Sequence, residues 1–411
     1  MTNKEIIEAA FRAWGREFYF KTSLSQVARE LKVSKPALYR HFINKQALLD
    51  AMAKHFFDDF TAFIREDYKK ALNIGDSDEG ISIFVRSIAE YYARNVNIFI
   101  FLMIKLHNRK LDENDMTKEL GARGIDMENF YLLIKKDYIF HPPVVRLINA
   151  TLIFFIADFH KKMKSTVNPP SEEEIAKIIA VIGEILGAGL CYSNEEIAAL
   201  DYEGLESRVA GTMDNTEDDP LLKAAASAVA EAGPWGASME RVAHCSGLSK
   251  SSLYCHFKNK QDMLRKLFLT EFSRIFDFAR RGMGQSAVPL EQLYLGIFSI
   301  AEYLRSKPVI LVAMDWIRNR GINLKSPGNK PKSMPEFMRL FEGIGIKPLR
   351  DGKNPFDGLH GEGVWITPWI LFLIINMLMQ KRQEKAAGDA LNDDIRFLYR
   401  LITLGIGGFK K

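Results

Sequence analysis

Apolar side chains return every three or four positions along nearly the whole chain, the spacing of helices that bury one face. Ile6, Ile7, Ala10, Phe11 and Trp14 form the first stripe, which ends at Gly15. Phe18-Tyr19-Phe20 fills the loop before Ser23, a capping residue type placed just ahead of Val27, Ala28 and Leu31. After a tight break at Lys32-Val33-Ser34, Leu38 and Phe42 share one side of another short helix, while Pro36, Tyr39 and Arg40 point away from it. From Asn44 to about Leu72 the pattern predicts one long helix, closed by Asn73-Ile74-Gly75. Helical stretches follow from Ile81 to Asn95 and from Ile98 to Leu106, then a charged helical region up to Asp137. Pro142-Pro143 punctuates the chain before two long segments, Val144 to Met163 and Ser171 to Leu190, an antiparallel pair of which the second opens with the capping box Ser171-x-x-Glu174.

This order is then written again. Ser34-Lys35-Pro36-Ala37-Leu38-Tyr39-Arg40-His41-Phe42-Ile43-Asn44-Lys45-Gln46 returns about 215 residues later as Ser249-Lys250-Ser251-Ser252-Leu253-Tyr254-Cys255-His256-Phe257-Lys258-Asn259-Lys260-Gln261. Val242, Ala243 and Leu248 return with it, and Gly247 stands in the turn where the first copy has Lys32. Ile88-Ala89-Glu90-Tyr91 comes back as Ile300-Ala301-Glu302-Tyr303, and the closing apolar pair as Val364 to Gln380 and Leu391 to Gly405. The duplication therefore spans whole units, and the chain is expected to be all-α. Gly321 to Pro335 and Gly343 to Gly363, rich in Gly, Pro and Lys, are loops peculiar to the second unit. Asn194 to Gly211 predicts an extra helix, and Asp214 to Pro220 an acidic break; together they are long enough to reach roughly 50 Å. The expected divisions are 1–50 and 219–265 for two heads, 51–192 and 266–411 for two helical bodies, and 193–218 for a linker.

Charge placement gives the heads a chemistry. Two short helices joined by a turn make a helix-turn-helix. Ser23, Ser34, Ser238 and Ser249 stand at helix starts, and Lys35 and Lys250 occupy first turns, where the helix dipole disfavours a cation. Asn44-Lys45 and Asn259-Lys260 repeat the arrangement one helix later. A bound phosphate reconciles lysine with a helix N-terminus. Lys32 to Lys45 and Arg241 to Lys260 each carry four Lys/Arg and no acid, a local basic patch on a chain whose net charge is only +5.

Both copies resemble the DNA-binding domain of the tetracycline-repressor (TetR) family of bacterial transcription regulators, from the first helix (about Lys4 to Gly15, and Asp219 to Gly233) to Leu49 and Leu264. The resemblance implies double-stranded DNA as partner. Tyr39 and Tyr254 would donate to a phosphate or touch a thymine methyl, and His41 and His256 would donate to phosphate, packing against a neighbouring helix being the other reading of all four. Arg40 lies mid-face and would bridge guanine O6 and N7; its counterpart is Cys255, and Pro36-Ala37 face Ser251-Ser252, so the two heads are expected to prefer different half-sites of an asymmetric pseudo-palindromic operator. Family members carry one such domain and dimerise through their last two helices, whereas this chain carries two domains. An intramolecular four-helix bundle from 144–190 and 364–407 is thus implied, making the chain a single-chain pseudo-dimer, with a further dimer still open. Gly183, Gly187, Gly405, Gly407 and Gly408 either permit close helix approach there or end helices. The resemblance also implies a pocket for a small hydrophobic effector in each body. Tyr91, Arg94, Asn97 and Asn149 are the candidates in the first, and Tyr303, Trp316 and Asn376 in the second, each open to a purely structural reading.

At 411 residues the chain is long enough for several cores. Cys191, Cys245 and Cys255 make no disulfide framework, and the first residues begin a charged amphipathic helix rather than a leader, so a cytoplasmic protein is expected. Val364 to Met379 is short for a bilayer and holds Pro368, while its counterpart Val144 to His160 holds Arg146 and Asp158; buried bundle helices explain both, and no membrane partner is expected. His244-Cys245 with Cys255-His256 fits no common zinc finger, and Asp357, His360 and Glu362 lie in a loop where solvated polar residues are the commoner reading. Cys255, near Lys250 and His256, also admits a redox-sensing reading. No phosphate loop, nucleophile elbow or carboxylate pair signals catalysis, and no cofactor is expected. Two rival readings remain: a DNA-bound protein controlled by a protein partner, and a helical lipid-binding protein or enzyme that no longer binds DNA.

Overall fold

The computed structural model describes residues 2–16, 23–107, 113–139, 142–163, 170–190, 192–210, 219–320, 339–341, 366–384 and 389–411. Phe18-Tyr19-Phe20, Cys191, the acidic run 214–218, the two Gly-rich loops and Asp357, His360 and Glu362 lie outside the described residues. The described chain is helical, and an isolated antiparallel bridge pairs Tyr138 with Lys410.

The chain forms two compact units, one of residues 1–140, 155–183 and 409–411, the other of 141–154 and 184–408. The first begins with α1 (Asn3–Arg16), α2 (Leu24–Glu30), α3 (Lys35–Tyr39) and α4 (Lys45–Asn73). It continues with α5 (Ser77–Arg94), α6 (Val96–His107), α7 (Glu113–Gly121) and α8 (Met127–Asp137). α9 (Pro142–Met163) and α10 (Glu172–Ala188) follow, and the division between units falls inside both of them. Gly75, at φ 75°, ends α4 as the sequence leads one to expect, and Ser171 and Glu174 form the expected capping box. An aromatic core built from Phe56, Phe60, Tyr91 and Tyr92 fills the first unit, edge-on at 5.0 Å between Phe60 and Tyr91 and stacked at 5.6 Å between Phe60 and Tyr92.

Beyond residue 193 the expected single helix is two, α11 (Asn194–Ala198) and α12 (Tyr202–Ala210). Ser193 and Glu196 form a capping box for the first, and Asp201 accepts from the Gly204 amide at 3.0 Å at the start of the second, so capping chemistry divides one apolar pattern. This stretch is no free linker. Glu206, only 9 % exposed, accepts hydrogen bonds from Tyr294 at 2.5 Å, Asn392 at 2.9 Å and Arg396 at 2.9 and 3.1 Å, which seats α12 in the second unit.

The second unit proceeds through α13 (Pro220–Gly236), kinked at Gly233, α14 (Met239–Ser246), α15 (Lys250–His256) and α16 (Lys260–Met283). α17 (Pro289–Ser306), α18 (Pro308–Arg320), α19 (Ile366–Glu384) and α20 (Asp389–Leu404) complete it, with a short 3₁₀ turn at Ile406–Phe409. Within it, the opening half of α9 meets α19. The Trp369 indole donates to Thr151 at 3.2 Å, and Phe154 lies 5.5 Å from Phe372. The end of α10 meets the end of α20, where the Leu190 amide donates to the Ile402 carbonyl at 2.8 Å and that of Tyr192 to Thr403 at 3.2 Å. Gly189 and Gly405 face this junction at φ 56° and 63°; a Cβ on either would stand within 2.6 Å of backbone across it. Gly405 thus fits the close-approach reading, and the Gly187 backbone takes part in that approach, although among the described residues a Cβ on Gly183 or Gly187 itself would meet nothing within 4 Å. Among the described residues no helix is long and apolar enough to cross a membrane.

Candidate DNA interface

Each head is built the same way from its short helices. In the first, Ser23 accepts from the Gln26 amide at 3.3 Å and donates its own amide back to the Gln26 side chain, a full capping box. Lys32 then turns the chain at φ 55°, and the Val33 amide donates to Ala28 at 2.9 Å. In the second, Ser238 accepts from the Arg241 amide at 3.2 Å, Gly247 makes the turn at φ 69°, and the Leu248 amide donates to Ala243 at 3.1 Å. The same hydrogen bond therefore closes both turns.

The following helix divides into an inner and an outer side as its spacing predicts. Leu38 and Phe42 are 1 % and 7 % exposed, and Leu253 and Phe257 are 0 % and 4 %, whereas Tyr39 and Tyr254 are 44 % and 47 % exposed. Packing inside the head therefore does not account for the tyrosines. Ser34, Lys35, Pro36, Arg40 and His41 are exposed beside Tyr39, with Ala37 half-buried; Ser249, Lys250, Ser251, Cys255 and His256 are exposed beside Tyr254, with Ser252 half-buried. Asn44 and Asn259 cap the next helices, accepting from Ala47 at 2.8 Å and Asp262 at 2.9 Å, and Lys45 and Lys260 sit half-buried in their first turns.

The copies differ in detail. Among the described residues Ser34 makes no side-chain capping bond at its helix start, while Ser249 accepts from the Ser252 amide at 3.0 Å. α3 is five residues long and α15 seven, so Arg40 lies at the C-cap of its helix and Cys255 inside its own, its thiol 3.6 Å from the Ser251 carbonyl. The His41 ring meets Asn3 of α1 at 2.7 Å, which fixes its orientation without burying it. Lys35 lies 5.7 Å from the Tyr39 ring. Lys250 instead pairs with Glu240, whose carboxyl its hydrogen bond holds down at about 2. Arg241 comes within 3.8 Å of Glu231. The acid-free run seen in the sequence thus acquires two acids in space, which only comparing Glu240 with its counterpart Ser25 would have signalled.

The residues expected to line an effector pocket in each body have unlike surroundings. Tyr91, 1 % exposed, donates to Asp59 at 2.9 Å, and burial together with that carboxylate pushes its hydroxyl well above the usual range. Tyr303 donates to the buried Glu271 at 2.8 Å in the matching place of the second unit. Both are satisfied core residues. Arg94 is exposed and held by Glu172 through two bonds of 2.6 Å, and Asn149 is exposed. Asn97 is half-buried, and the Trp316 side chain lies outside the described residues. Asn376 is half-buried, and its amide oxygen is shut away without a hydrogen-bond partner among the described residues. A cleft of about 460 Å³ in the first unit is lined by Ile74, Gly75, Asp76, Ser77, Asp78, Asp137 and Lys410, a polar wall that includes none of these candidates.

Two helices joined by a tight turn, the second presenting Lys, Tyr and His outward, define a helix-turn-helix DNA-binding head. Residues 6–52 and 221–267 each match the family described as bacterial regulatory proteins, tetR family. Both heads thus match the DNA-binding domain model of that family, in tandem in one chain. A curated relative, an uncharacterized HTH-type transcriptional regulator YuxN of Bacillus subtilis (strain 168), is 36 % identical over 77 residues, 18 % of this chain. The match spans only 24 % of that relative's length. The crystal structure of a TetR family transcriptional regulator, PfmR from Thermus thermophilus, aligns with 44 % of this chain and 95 % of its own at 18 % identity and a TM-score of 0.30.

Proposed function

We propose that this chain is a cytoplasmic transcriptional regulator that sets two unlike heads on the halves of one operator as a single-chain pseudo-dimer, and that a small hydrophobic effector releases it. The observation that carries the DNA-binding part is the repeated outer face: Lys35, Tyr39 and His41 in one head and Lys250, Tyr254 and His256 in the other, exposed over a buried Leu-Phe pair. Lysines and helix starts neutralise phosphate, and Arg40 against Cys255 supplies different base contacts. Support for the pseudo-dimer comes from the Trp369–Thr151 and Leu190–Ile402 hydrogen bonds, which join the helices that close the first half to those that close the second. A tethered second head meets its half-site at high effective concentration, so binding need not await association of chains. Asn376 supports the effector: a buried amide oxygen without a donor costs about 1–3 kcal/mol, which a ligand hydroxyl or amide relieves.

The test is selection of binding sites from random duplex DNA by the purified chain, with the mass of the bound complex recorded. One chain on two unequal inverted half-sites is the expected result. Two chains on a doubled symmetric site would end the single-chain reading, and no enrichment would end the regulator reading.

A further inference from the structure

The two heads face DNA with different charge. At matching positions on the first helix of each motif stand Ser25 and Glu240, both exposed. Glu240 reaches across to Lys250 of α15, whereas Lys35 makes no ion pair among the described residues and lies over Tyr39 instead. Arg241 likewise has Glu231 at 3.8 Å. Both members of the Glu240–Lys250 pair are more than half exposed, so the pair adds little to folding. Its effect falls on what approaches from outside. The carboxylate is ionised at any pH at which DNA is duplex, and it sits beside the lysine that would meet a phosphate. A phosphate taken by Lys250 must displace Glu240 or remain next to it.

We infer that Glu240 is an affinity-setting residue of the second head: it cancels the ammonium charge with which Lys250 would meet a phosphate, so the chain grips DNA through the first head and holds the second as a weak partner. This rests on the DNA-binding reading above. A weak second head makes occupancy of the full site depend on the tether and on the bases under that head. Partial release is then a matter of freeing the second head alone.

The experiment is a titration of fluorescent duplex, both random-sequence and selected, by the full chain from about 0.05 to 0.3 M salt. Each neutralised phosphate adds about 0.9 to the salt slope, so one is worth about five- to tenfold in affinity near 0.1 M salt. Glu240→Ser and Glu240→Gln are expected to tighten binding by about that factor and to steepen the slope by about one. Lys35→Ala is expected to weaken binding as much, and Lys250→Ala, made in the Glu240→Ser background so that no bare carboxylate is left facing the duplex, to weaken it likewise. The reciprocal Ser25→Glu, placing a carboxylate opposite Lys35, is expected to weaken binding like Lys35→Ala. All of these positions are on the surface, and unchanged circular dichroism confirms that each variant is folded. Glu240→Ser and Glu240→Gln that leave affinity and salt slope unchanged would overturn the inference and leave DNA binding intact. Failure of the unaltered chain to bind any duplex at the lowest salt would overturn the DNA-binding reading itself.

Discussion

Lys32 holds a left-handed backbone at φ 55°, where the second head has Gly247 at 69°. A β-carbon in that region costs about 1–2 kcal/mol, partly offset because glycine has more freedom to lose from the unfolded chain. Lys32→Gly is therefore expected to stabilise the protein by about 0.5–1 kcal/mol, read as a higher urea midpoint with unchanged m-value; a fall in midpoint would mean that Lys32 is not strained. The pairing of Gly with Lys was visible in the repeat, since both occupy one place in the motif. Side-chain partners were not visible in the same way. Nothing in the spacing of Tyr91 or Tyr303 announces the carboxylates of Asp59 and Glu271, because those arrive from α4 and α16 across a helix packing. Two of the seven residues offered for an effector, Tyr91 and Tyr303, were therefore residues already satisfied by the core.

Among the elements, the recognition helices carry the specificity argument. Arg40 is exposed at the end of α3 and makes no ion pair among the described residues, so its guanidinium is available for a base edge. Arg40→Ala is expected to cost about 1–3 kcal/mol at one half-site and to relax preference there alone. An unchanged profile from site selection at both half-sites would remove Arg40 from base reading. The helix ends that meet at Gly189 and Gly405 carry the stability argument. Gly405→Ala must place its Cβ 2.6 Å from the Leu186 carbonyl oxygen at φ 63°, so a loss of about 2 kcal/mol or more is expected on thermal unfolding. Gly187→Ala, whose Cβ meets nothing within 4 Å among the described residues and lies inside α10, is expected instead to gain about 0.5–1 kcal/mol. Equal effects of the two would show that the junction does not form. Glycines of one kind in the sequence thus divide by whether another backbone stands beside them.

At the scale of the whole molecule, the last three residues belong to the first unit. Tyr138 pairs with Lys410 through backbone, the Ile139 amide donates to Phe409 at 2.7 Å, and Lys410 and the Tyr138 hydroxyl both bond Asp78. Burial pushes the Asp78 carboxyl up, but the bonds from Lys410 and Tyr138 and the ammonium charge outweigh it and hold it below the usual range. A carboxylate depressed on folding stabilises fully above its unfolded value, about 4, and loses that contribution as pH falls through its folded value. Lys410→Met is therefore expected to lower stability near neutrality and to flatten the acid limb of stability against pH, and an unaltered acid limb would count against the bond. Such links lay beyond the sequence, as did the division that cuts α9 and α10 and the seating of α12 through the Glu206 bond to Arg396. What the sequence determined alone was local and repeated: the helices, their caps, the turn at Lys32 or Gly247, and the buried Leu-Phe pair under an exposed tyrosine. Those depend on backbone geometry and a 3.6-residue period, which a linear pattern records. Tertiary structure alone decided which charges meet, which glycines face a neighbour and which polar groups are satisfied, because these depend on distances between segments that no spacing along the chain encodes.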